Sequence, residues 1–324
     1  MTRIRKQKEG MKQQESRRWR MDPAGGAAVS EVSPTTLFPT RQKRAARFFA
    51  FIPLCIGLFL LALSLKAGAE EQIPVTFSRT ATVPAETDLQ DEALLLDGVT
   101  YVPFRAFCAQ ADDCDITWDA STRTATAALP GGVRLHARVG DLYLQYGDRY
   151  FYTVAPIRIV KDRLYLPVRP LARCFGYEVT WSTAARSVWL KAGARPASSG
   201  VYDEEELYWL SRLIEAESGA EPFRGKIAVG NVVRNRVASP QFPDTVYGVI
   251  FDTKYGVQFT PTANGMIYRA PASDSVAAAA ICLEGYSLSD EILYFYDPDL
   301  SGSTWFRRHC TYAFRIGGHE FYTP

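Results

Sequence analysis

The sequence predicts a multidomain α+β protein, and three patterns along its 324 residues lead to this fold class. One apolar run lies near the N-terminus, a repeat of short strands occupies residues 91–193, and a helical pattern followed by strands occupies residues 203–324. A chain of this length holds about two domains. With 47% hydrophobic and 22% charged residues, it has the composition of a globular protein.

Charge is unevenly distributed along the chain. Residues 1–47 contain 12 Lys or Arg against 4 Asp or Glu, a net charge of +8, whereas the remaining residues contain 25 against 31, a net charge of −6. The tail lacks apolar periodicity, so we expect residues 1–47 to be disordered and cytoplasmic. An acidic body behind a basic tail argues against a nucleic-acid partner.

Residues 48–65 are apolar, and the length of the segment 48–66 suits one helix that spans a membrane. The basic residues ahead of them predict that the N-terminus lies inside the cell and the body on the outer side of the cell membrane. Small residues at Ala67 and Ala69 fit a signal-peptidase site, so cleavage after Ala69 and export of the body is the alternative. Residues 67–90 are mostly polar and are expected to form a linker.

Residues 91–193 contain the internal repeat. A Tyr-x-Pro-x-Arg block recurs after 64 residues, at Pro103 and Pro167, and a Thr-Trp pair recurs after 63 residues, at Trp118 and Trp181. This offset predicts two copies of one unit, each a strand, a short helix and two further strands, packed on each other. We expect the aromatic residues of the repeat to fill a core rather than to bind sugars.

Both units resemble the copper amine oxidase N-terminal-like module, a non-catalytic stalk of exported bacterial proteins. We therefore call residues 91–193 the stalk domain. The three histidines of the chain, His136, His309 and His319, are too scattered for a copper ligand set. We expect no metal and no cofactor.

Five cysteines follow the apolar run. Cys108 and Cys114 bracket a loop that is only a short turn in the second repeat, and a local disulfide there suits the outside of a cell. A second pairing between Cys282 and Cys310 is the other candidate. Buried thiols are the alternative for both pairs, and the sequence leaves this open.

Residues 194–202 are rich in Gly, Pro and Ser and are interpreted as a hinge into the last domain, residues 203–324. Asp203 can cap the helix that follows it. A second helix opens at Pro222, and a third, residues 273–284, ends before a glycine. Three strands are predicted after it, at residues 293–296, 312–316 and 319–322.

Two glutamates of the first helix face different environments. At 3.6 residues per turn, Leu213 and Ile214 lie on an apolar stripe that Glu217 continues, whereas Glu215 points away, beside Arg212. A carboxylate on a buried face has a raised pKa, as a general acid near neutral pH requires. An exposed glutamate at a helix end is the alternative interpretation of Glu217.

The last domain resembles a known family. Residues 213–221, Leu-Ile-Glu-Ala-Glu-Ser-Gly-Ala-Glu, and the block at residues 225–236 are similar to the SleB/CwlJ-type cell wall hydrolases, the spore cortex-lytic enzyme family. The later blocks of that family follow in the same order, at residues 239–250, 258–259, 293–298 and 316–322. The resemblance covers residues 203–324 and implies a lysozyme-like catalytic domain.

The resemblance implies a lytic transglycosylase that acts on peptidoglycan glycan strands, in spore cortex or vegetative wall. Glu217 is then acid and base in turn, and the bond after N-acetylmuramic acid is cut without water. We expect hydrogen bonds to the sugars from Gln258, Tyr294 and Tyr296, with one of the two tyrosines in the cleft. Phe259 and Trp305 are expected to offer flat apolar faces to the sugar rings. Asn235, with Asn231, lies on a side of the second helix that either contacts glycan or is simply exposed.

Two alternatives remain at this point. Asp297 stands where the family has Asn more often, which leaves open a second carboxylate and hence a hydrolytic muramidase. A catalytically inactive wall-binding or scaffold protein is the alternative from another class. Because the stalk contributes no candidate acid, we expect it to fold alone and to be dispensable for cleavage; an accessory regulatory protein is left open.

Overall fold

The computed structural model of the protein describes residues 71–78, 89, 93–112, 114–300 and 305–324. All of these residues belong to one compact unit, Ser64–Pro324. The predictions for the tail and the apolar segment 48–66 therefore lie outside the described residues. Within the described ranges, none of the helices has the length and apolar character needed to cross a membrane.

The stalk is built from strands and two short helices. In chain order its elements are β1 Glu71–Gln72, β2 Val75–Ser78, β3 Leu94–Leu96, β4 Val99–Pro103, α1 Phe104–Ala111, β5 Asp115–Asp119, β6 Thr124–Ala128, β7 Arg134–Arg138, β8 Tyr143–Tyr146, β9 Arg149–Tyr152, β10 Arg158–Val160, β11 Arg163–Pro167, α2 Val168–Cys174, β12 Tyr177–Ser182 and β13 Ser187–Ala192. Each repeat thus has the predicted order of a strand, a helix and two strands. A proline ends the first strand of each repeat and directly precedes the helix.

The two repeats pack on each other, as the constant offset predicts. Strands β4 and β11 pair antiparallel, with Tyr165 opposite Pro103 and Pro167 opposite Tyr101. Their sheet has the order β1-β3-β4-β11-β10, β5 to β9 form a five-stranded sheet in sequence order, and β12, β13 and β2 form a third sheet. One apolar core, which includes Phe107 and Leu166, lies between these sheets.

The predicted linker 67–90 is wrong for residues 71–78. Strand β1 pairs with β3, and β2 pairs in parallel with β13. Ile73, Val75 and Phe77 are buried in the stalk core because they alternate with polar residues and so share one face of the chain. This alternation is a local signal of strand structure. The sequence analysis missed it because prolines and polar residues surround these positions.

The aromatic residues of the repeat divide into two groups. Core packing is confirmed for Tyr101 and Tyr165, which are buried. It is wrong for Trp118, Trp181 and Trp189, which are 46%, 38% and 36% exposed. Trp118 and Trp181 stand one residue before the ends of β5 and β12, where the hairpins extend past the core, and Trp189 is paired with a threonine on the solvent-facing side.

No disulfide is present among the described cysteines. Cys108 and Cys114 are in hydrogen-bonding contact as thiols, and burial raises the pKa of the Cys108 thiol. Cys282 lies deep in the last domain, where its Sγ atom is 3.4 Å from the carbonyl oxygen of Ile227, so it does not meet Cys310. The structure therefore has the alternative state, thiols, at both predicted pairs.

The last domain combines helices with a small antiparallel sheet, which makes the described chain a mixed, multidomain α/β protein. Its elements are α3 Glu204–Ser218, α4 Phe223–Ala238, α5 Val246–Ile250, α6 Thr260–Asn264, a 3₁₀ turn Met266–Tyr268, α7 Ser273–Leu283, β14 Tyr294–Tyr296, α8 Trp305–His309, β15 Thr311–Ile316 and β16 His319–Thr323. The sheet has the order β14-β16-β15. The three long helices and three strands of the prediction are confirmed to within two residues at their ends.

Helix α3 begins as predicted. The Oδ1 atom of Asp203 accepts hydrogen bonds from the backbone N–H groups of Glu205 and Glu206, at 2.7 and 3.3 Å. Three glutamates in the first turn suit the positive end of the helix dipole. The apolar face of α3 packs against α4 and α7, so the helix runs through the core of the domain.

The stalk and the last domain share a buried polar contact. The guanidinium of Arg149 in β9 donates two hydrogen bonds of 2.8 Å to the carboxylate of Glu284, which directly follows α7. These side chains are only 10% and 8% exposed. Beside them, the ring of Tyr152 packs against Phe223 and Tyr286. The aromatic outer face of β8 and β9 is thus covered by the last domain.

The predicted hinge at residues 194–202 is wrong, because this segment is bound to the stalk. The backbone N–H of Asp148 donates to the carbonyl oxygen of Ser198 at 2.9 Å, and Arg149 donates to that of Ala197 at 3.3 Å. From its other end, the hydroxyl of Tyr202 donates to the carbonyl oxygen of Asp148 at 2.8 Å. Given this interface, we no longer expect the stalk to be independent of the last domain.

Removal of one partner of the Arg149 ion pair should destabilise the protein. We expect Arg149→Met to lower the free energy of unfolding by about 3 kcal/mol or more, because a buried carboxylate is left without its partner. Glu284→Leu added to that variant should recover part of the loss, and urea denaturation of the four proteins measures the coupling. Additive effects of the two substitutions would contradict a direct contact.

Candidate active site

The carboxyl group of Glu217 lies in the last turn of α3. Leu213 and Ile214, one turn earlier on the same face, are completely buried, and Glu217 itself is half-buried. Desolvation by burial raises the pKa of Glu217 from 4.5 to about 7. This agrees with the raised pKa that the helical pattern predicts.

The carboxyl group of Glu217 has no hydrogen-bond or ion-pair partner among the described residues. Buried polar groups are usually hydrogen-bonded, because an unpaired one costs free energy. A carboxyl group that is desolvated and unpaired exchanges a proton near neutral pH, and it can give that proton to a bound molecule. Such an arrangement is typical of catalytic acids.

The prediction that Glu215 is a solvated charge beside Arg212 is wrong. Its Oε2 atom accepts hydrogen bonds from the backbone N–H of Ala272 at 3.1 Å and from the hydroxyl of Ser275 at 2.7 Å. Arg212, its expected neighbour, instead lies over the ring of Tyr208, 3.5 Å from its centroid. Glu215 is therefore not a solvated charge, since it binds the start of α7 to α3.

A buried lysine that the sequence analysis did not single out extends this contact. The Nζ atom of Lys226 in α4 lies 2.8 Å from an oxygen of Asp274 and 3.1 Å from the hydroxyl of Ser275. Ser275 thus bonds to Lys226 on one side and to Glu215 on the other. Three helices are joined at the end of α3 that carries Glu217. The signal in the sequence was a lysine within an otherwise apolar part of the second helix.

Two other carboxylates near the sheet are engaged by backbone groups. An oxygen of Glu221 accepts a hydrogen bond of 3.1 Å from the N–H of Gly318, in the turn between β15 and β16. A side chain on the preceding Gly317, whose φ is +57°, would collide with that carboxylate. The Oδ1 atom of Asp297 accepts a hydrogen bond of 2.8 Å from the N–H of Asp299. Both carboxylates thus fix loops.

The predicted sugar-binding aromatic residues lie together, but only some of them present a surface. Phe259 is buried in the core, so it cannot offer a flat face to a sugar. Tyr296 is also buried and stacks on Phe306, with ring centroids 4.8 Å apart. Tyr294 is half-buried and contacts Trp305, which is 49% exposed. Of the two tyrosines, Tyr294 is therefore the one with an accessible ring.

The amide side chains of α4 and of the loop ahead of α6 have structural partners. Asn235 donates two hydrogen bonds of 2.9 Å to the carbonyl oxygens of Ser289 and Ile292, and Asn231 is buried with similar contacts. The two roles predicted for these asparagines, glycan contact and simple exposure, are therefore wrong. Both N–H groups of Asn235 hold the loop ahead of β14. Gln258 is half-buried and donates to the carbonyl oxygen of Gly256 at 3.2 Å.

Arg236 is a second buried cation that the sequence analysis did not single out. Its guanidinium lies among the rings of Phe242, Phe259 and Tyr294, with centroid distances of 5.0, 5.2 and 5.6 Å. Its Nε donates to the carbonyl oxygen of Leu293 at 2.8 Å. Desolvation lowers the pKa of Arg236 to about 10. This contact fixes α4 against β14 and explains why Phe259 faces inward.

Two family models match the chain. Residues 220–322 match the model described as Cell Wall Hydrolase, and residues 83–190 match the one described as Copper amine oxidase N-terminal domain. Both resemblances, to the cell wall hydrolases and to the copper amine oxidase N-terminal module, are confirmed over these residues. Glu217 lies just before the range matched by the hydrolase model.

The relatives of the cell wall hydrolase domain carry one name. The spore cortex-lytic enzyme of Bacillus subtilis (strain 168) is 34% identical over 122 residues, which are 38% of this chain and 39% of that protein. The spore cortex-lytic enzyme of Bacillus cereus is 35% identical over 104 residues, 32% of this chain and 39% of that protein. The chain therefore matches about two fifths of the length of these relatives.

Two solved structures are similar to the same domain. One is the catalytic domain of the germination-specific lytic transglycosylase SleB from Bacillus anthracis, which is 32% identical, with 39% of this chain and 99% of that chain covered and a TM-score of 0.35. The other is the catalytic domain of the Bacillus cereus SleB protein, also 32% identical, with 41% and 100% covered and a TM-score of 0.34.

The raised pKa of Glu217 gives the protein a specific pH dependence. Between pH 4.5 and about 7 the folded protein holds a proton on Glu217 that the unfolded chain has released. The folded state therefore loses stability as the pH rises through this range, and Glu217→Gln removes the loss. We expect Glu217→Gln to melt at a higher temperature than the parent at about pH 8, with a smaller difference at about pH 5. Equal differences at both pH values in thermal unfolding would contradict a desolvated carboxyl.

Proposed function

We propose that this protein is a peptidoglycan-cleaving cell wall hydrolase, and that it works as a lytic transglycosylase on the glycosidic bond after N-acetylmuramic acid. The observation that carries the proposal is the Glu217 carboxyl, which is half-buried, has no partner among the described residues and has a pKa of about 7. The cell wall hydrolase match that begins directly behind it supports the substrate class. The name of the curated relatives, spore cortex-lytic enzyme, supports the same class with spore cortex as the target, and vegetative wall is the alternative.

In the proposed reaction Glu217 acts twice. Its neutral carboxyl gives a proton to the glycosidic oxygen as the bond from the anomeric carbon to that oxygen breaks, and the electron pair leaves with the oxygen. The resulting carboxylate then takes the proton of the muramoyl 6-hydroxyl, whose oxygen forms a bond to the same anomeric carbon. Glu217 is neutral again, and the product is a 1,6-anhydro sugar. Leu213 and Ile214 favour the neutral starting form by excluding water.

The proposed cleft follows from the side chains that present a surface. A lysozyme-like fold, with the glycan bound along the side of the domain that carries Glu217, belongs to the proposal. Tyr294 and Trp305 supply aromatic surface for sugar rings, and Gln258 supplies an amide. Asp297 is a weaker candidate for the base of a hydrolytic muramidase, because its Oδ1 atom is bonded to backbone.

Substitution of Glu217 should abolish cleavage and leave the fold intact. We expect Glu217→Gln to lose at least 10² to 10⁴ in rate on purified peptidoglycan, the typical worth of one general acid or base role. Glu215→Gln is the matched control. It should stay within a few fold of the parent in rate but unfold more easily, because it weakens the contact between α3 and α7.

Mass spectrometry of the digested peptidoglycan distinguishes the alternatives. The proposal requires 1,6-anhydro-muramoyl ends. Reducing muramic ends from an active protein would mean that water attacks and that the protein is a muramidase. Binding to peptidoglycan with no cleavage product from the parent protein would mean an inactive wall-binding protein. Equal loss of rate in the two glutamate variants would remove the distinction between them.

The proposed location is the cell membrane, with residues after Ala69 on the outer side. The basic residues 1–47 and the apolar residues 48–66 support a single-pass anchor, and export after cleavage at Ala69 is the alternative. The substrate class requires the hydrolase domain to face the wall in either case.

The location can be tested with protease added to intact cells. We expect the protease to digest the stalk and the hydrolase domain and to leave the basic tail in cells that retain the anchor. The matched sample is a lysate, in which the tail should be digested as well. Digestion of the hydrolase domain only after lysis would contradict the proposed topology.

A further inference from the structure

A cavity of about 720 Å³ lies between the stalk and the hydrolase domain, away from the turn that carries Glu217. One wall comes from β9, α2 and β12 of the stalk. The other wall comes from the end of α7 and the residues behind it, Glu284 and Tyr286. Its volume is within the range of about 300–1,000 Å³ that is usual for small-molecule sites.

The charge of the cavity wall is positive. Arg169 and Arg173 of α2 line it, and neither forms an ion pair with a described residue. Arg169 donates one hydrogen bond of 3.3 Å to the carbonyl oxygen of Val179, and Arg173 lies over a phenylalanine ring, so most of their N–H groups have no acceptor among the described residues. Both side chains are exposed. The acidic side chain of the wall, Glu284, is already neutralised by Arg149.

The remaining wall of the cavity is mostly apolar. Five of its residues are aromatic, namely Tyr150, Phe151, Tyr152, Trp181 and Tyr286. Trp181, which is partly exposed and lies outside the stalk core, is thus part of the cavity wall. Guanidinium groups beside aromatic rings suit a ligand that has carboxylates on a partly apolar body, because Arg binds a carboxylate with two parallel hydrogen bonds.

We propose that this cavity binds the carboxylate-bearing peptide stem of peptidoglycan. The proposal rests on the proposed function for its ligand class, since peptide stems with free carboxylates are part of the peptidoglycan that a wall hydrolase meets. The stalk would then hold the wall while the hydrolase domain cuts the glycan. A ligand held at a second site raises the local concentration of the strand at the first site.

The first repeat of the stalk provides an internal control. Arg105 is the arginine of the first Tyr-x-Pro-x-Arg block and occupies the position that Arg169 has in the second. It lies on α1 and is exposed, as Arg169 is, but it does not line the cavity. A substitution there removes the same charge from the same structural context but leaves the cavity unchanged.

The test is isothermal titration calorimetry of the full-length Glu217→Gln variant with a synthetic stem tetrapeptide that has no sugar. We expect saturable binding, which becomes more than about tenfold weaker when Arg169→Gln and Arg173→Gln are added, because two charged donors are lost. Arg105→Gln in the same background should leave the affinity unchanged. A tetrapeptide with amidated carboxylates should bind weakly to the Glu217→Gln variant. Its affinity should equal that of the unmodified tetrapeptide for the protein that also carries Arg169→Gln and Arg173→Gln.

The possible failures are distinguishable. Equal affinity in the Arg169 and Arg173 variant, or no binding at all, would overturn the proposal, and so would equal binding of the amidated peptide. Equal binding of an unrelated acidic peptide would overturn the assignment to peptidoglycan in favour of a protein partner. Because the probe has no glycosidic bond and the variant lacks Glu217, none of these results depends on the cleavage reaction, which the digestion experiment tests separately.

Discussion

The buried ion pair between Arg149 and Glu284 is the contact on which the arrangement of the described chain depends. A guanidinium and a carboxylate at this depth are stable only together, since each alone would be a charge removed from water. The pair fixes the end of α7 against strand β9 of the stalk, and Glu215 fixes the start of α7 against α3. The helix that carries Glu217 is thereby connected to the stalk through one intermediate helix. The same pair neutralises Glu284 and leaves the neighbouring cavity with a positive wall.

Three glutamates within seven residues show how environment decides the role of a side chain. Glu215 accepts hydrogen bonds from α7, and Glu221 accepts one from the turn between β15 and β16. Both carboxylates accept hydrogen bonds from groups that would otherwise have no partner, and these bonds fix the positions of the two side chains. Glu217 receives no such bond from a described residue and is desolvated, so its proton is the one that is exchangeable near neutral pH. The neighbours on either side in the sequence thus position the helix end that carries it.

Periodic features were predictable from the sequence, and contacts between distant residues were not. The stripe that ends at Glu217, the cap at Asp203 and the two stalk repeats follow from local spacing, and each has the predicted structure. Glu215 and Asn235 were assigned wrongly because their partners lie far along the chain. Ala272 is 57 residues from Glu215, and Ser289 and Ile292 are 54 and 57 residues from Asn235. Phe259 was assigned wrongly because its ring is held in the core beside the guanidinium of Arg236. Whether a polar side chain is exposed or bonded to a remote backbone group leaves no local period. The same holds for Tyr143, Tyr150 and Tyr152, which share one face of β8 and β9 and are covered by the last domain.

The parallel pairing of β2 with β13 has a consequence for the order in which the chain becomes structured. Val75 and its partner Val188 are separated by more than a hundred residues along the chain. During synthesis the N-terminus of the chain emerges first, so β2 is present long before β13 has been made. The apolar residues of β2 therefore remain unpaired while most of the stalk is synthesised. Strands that close over such a distance form late and slowly, since the loop between their ends must first lose its freedom. The stalk is therefore completed only when the chain has reached the border of the hydrolase domain, and β2, one of its first strands in the sequence, is the last to be paired.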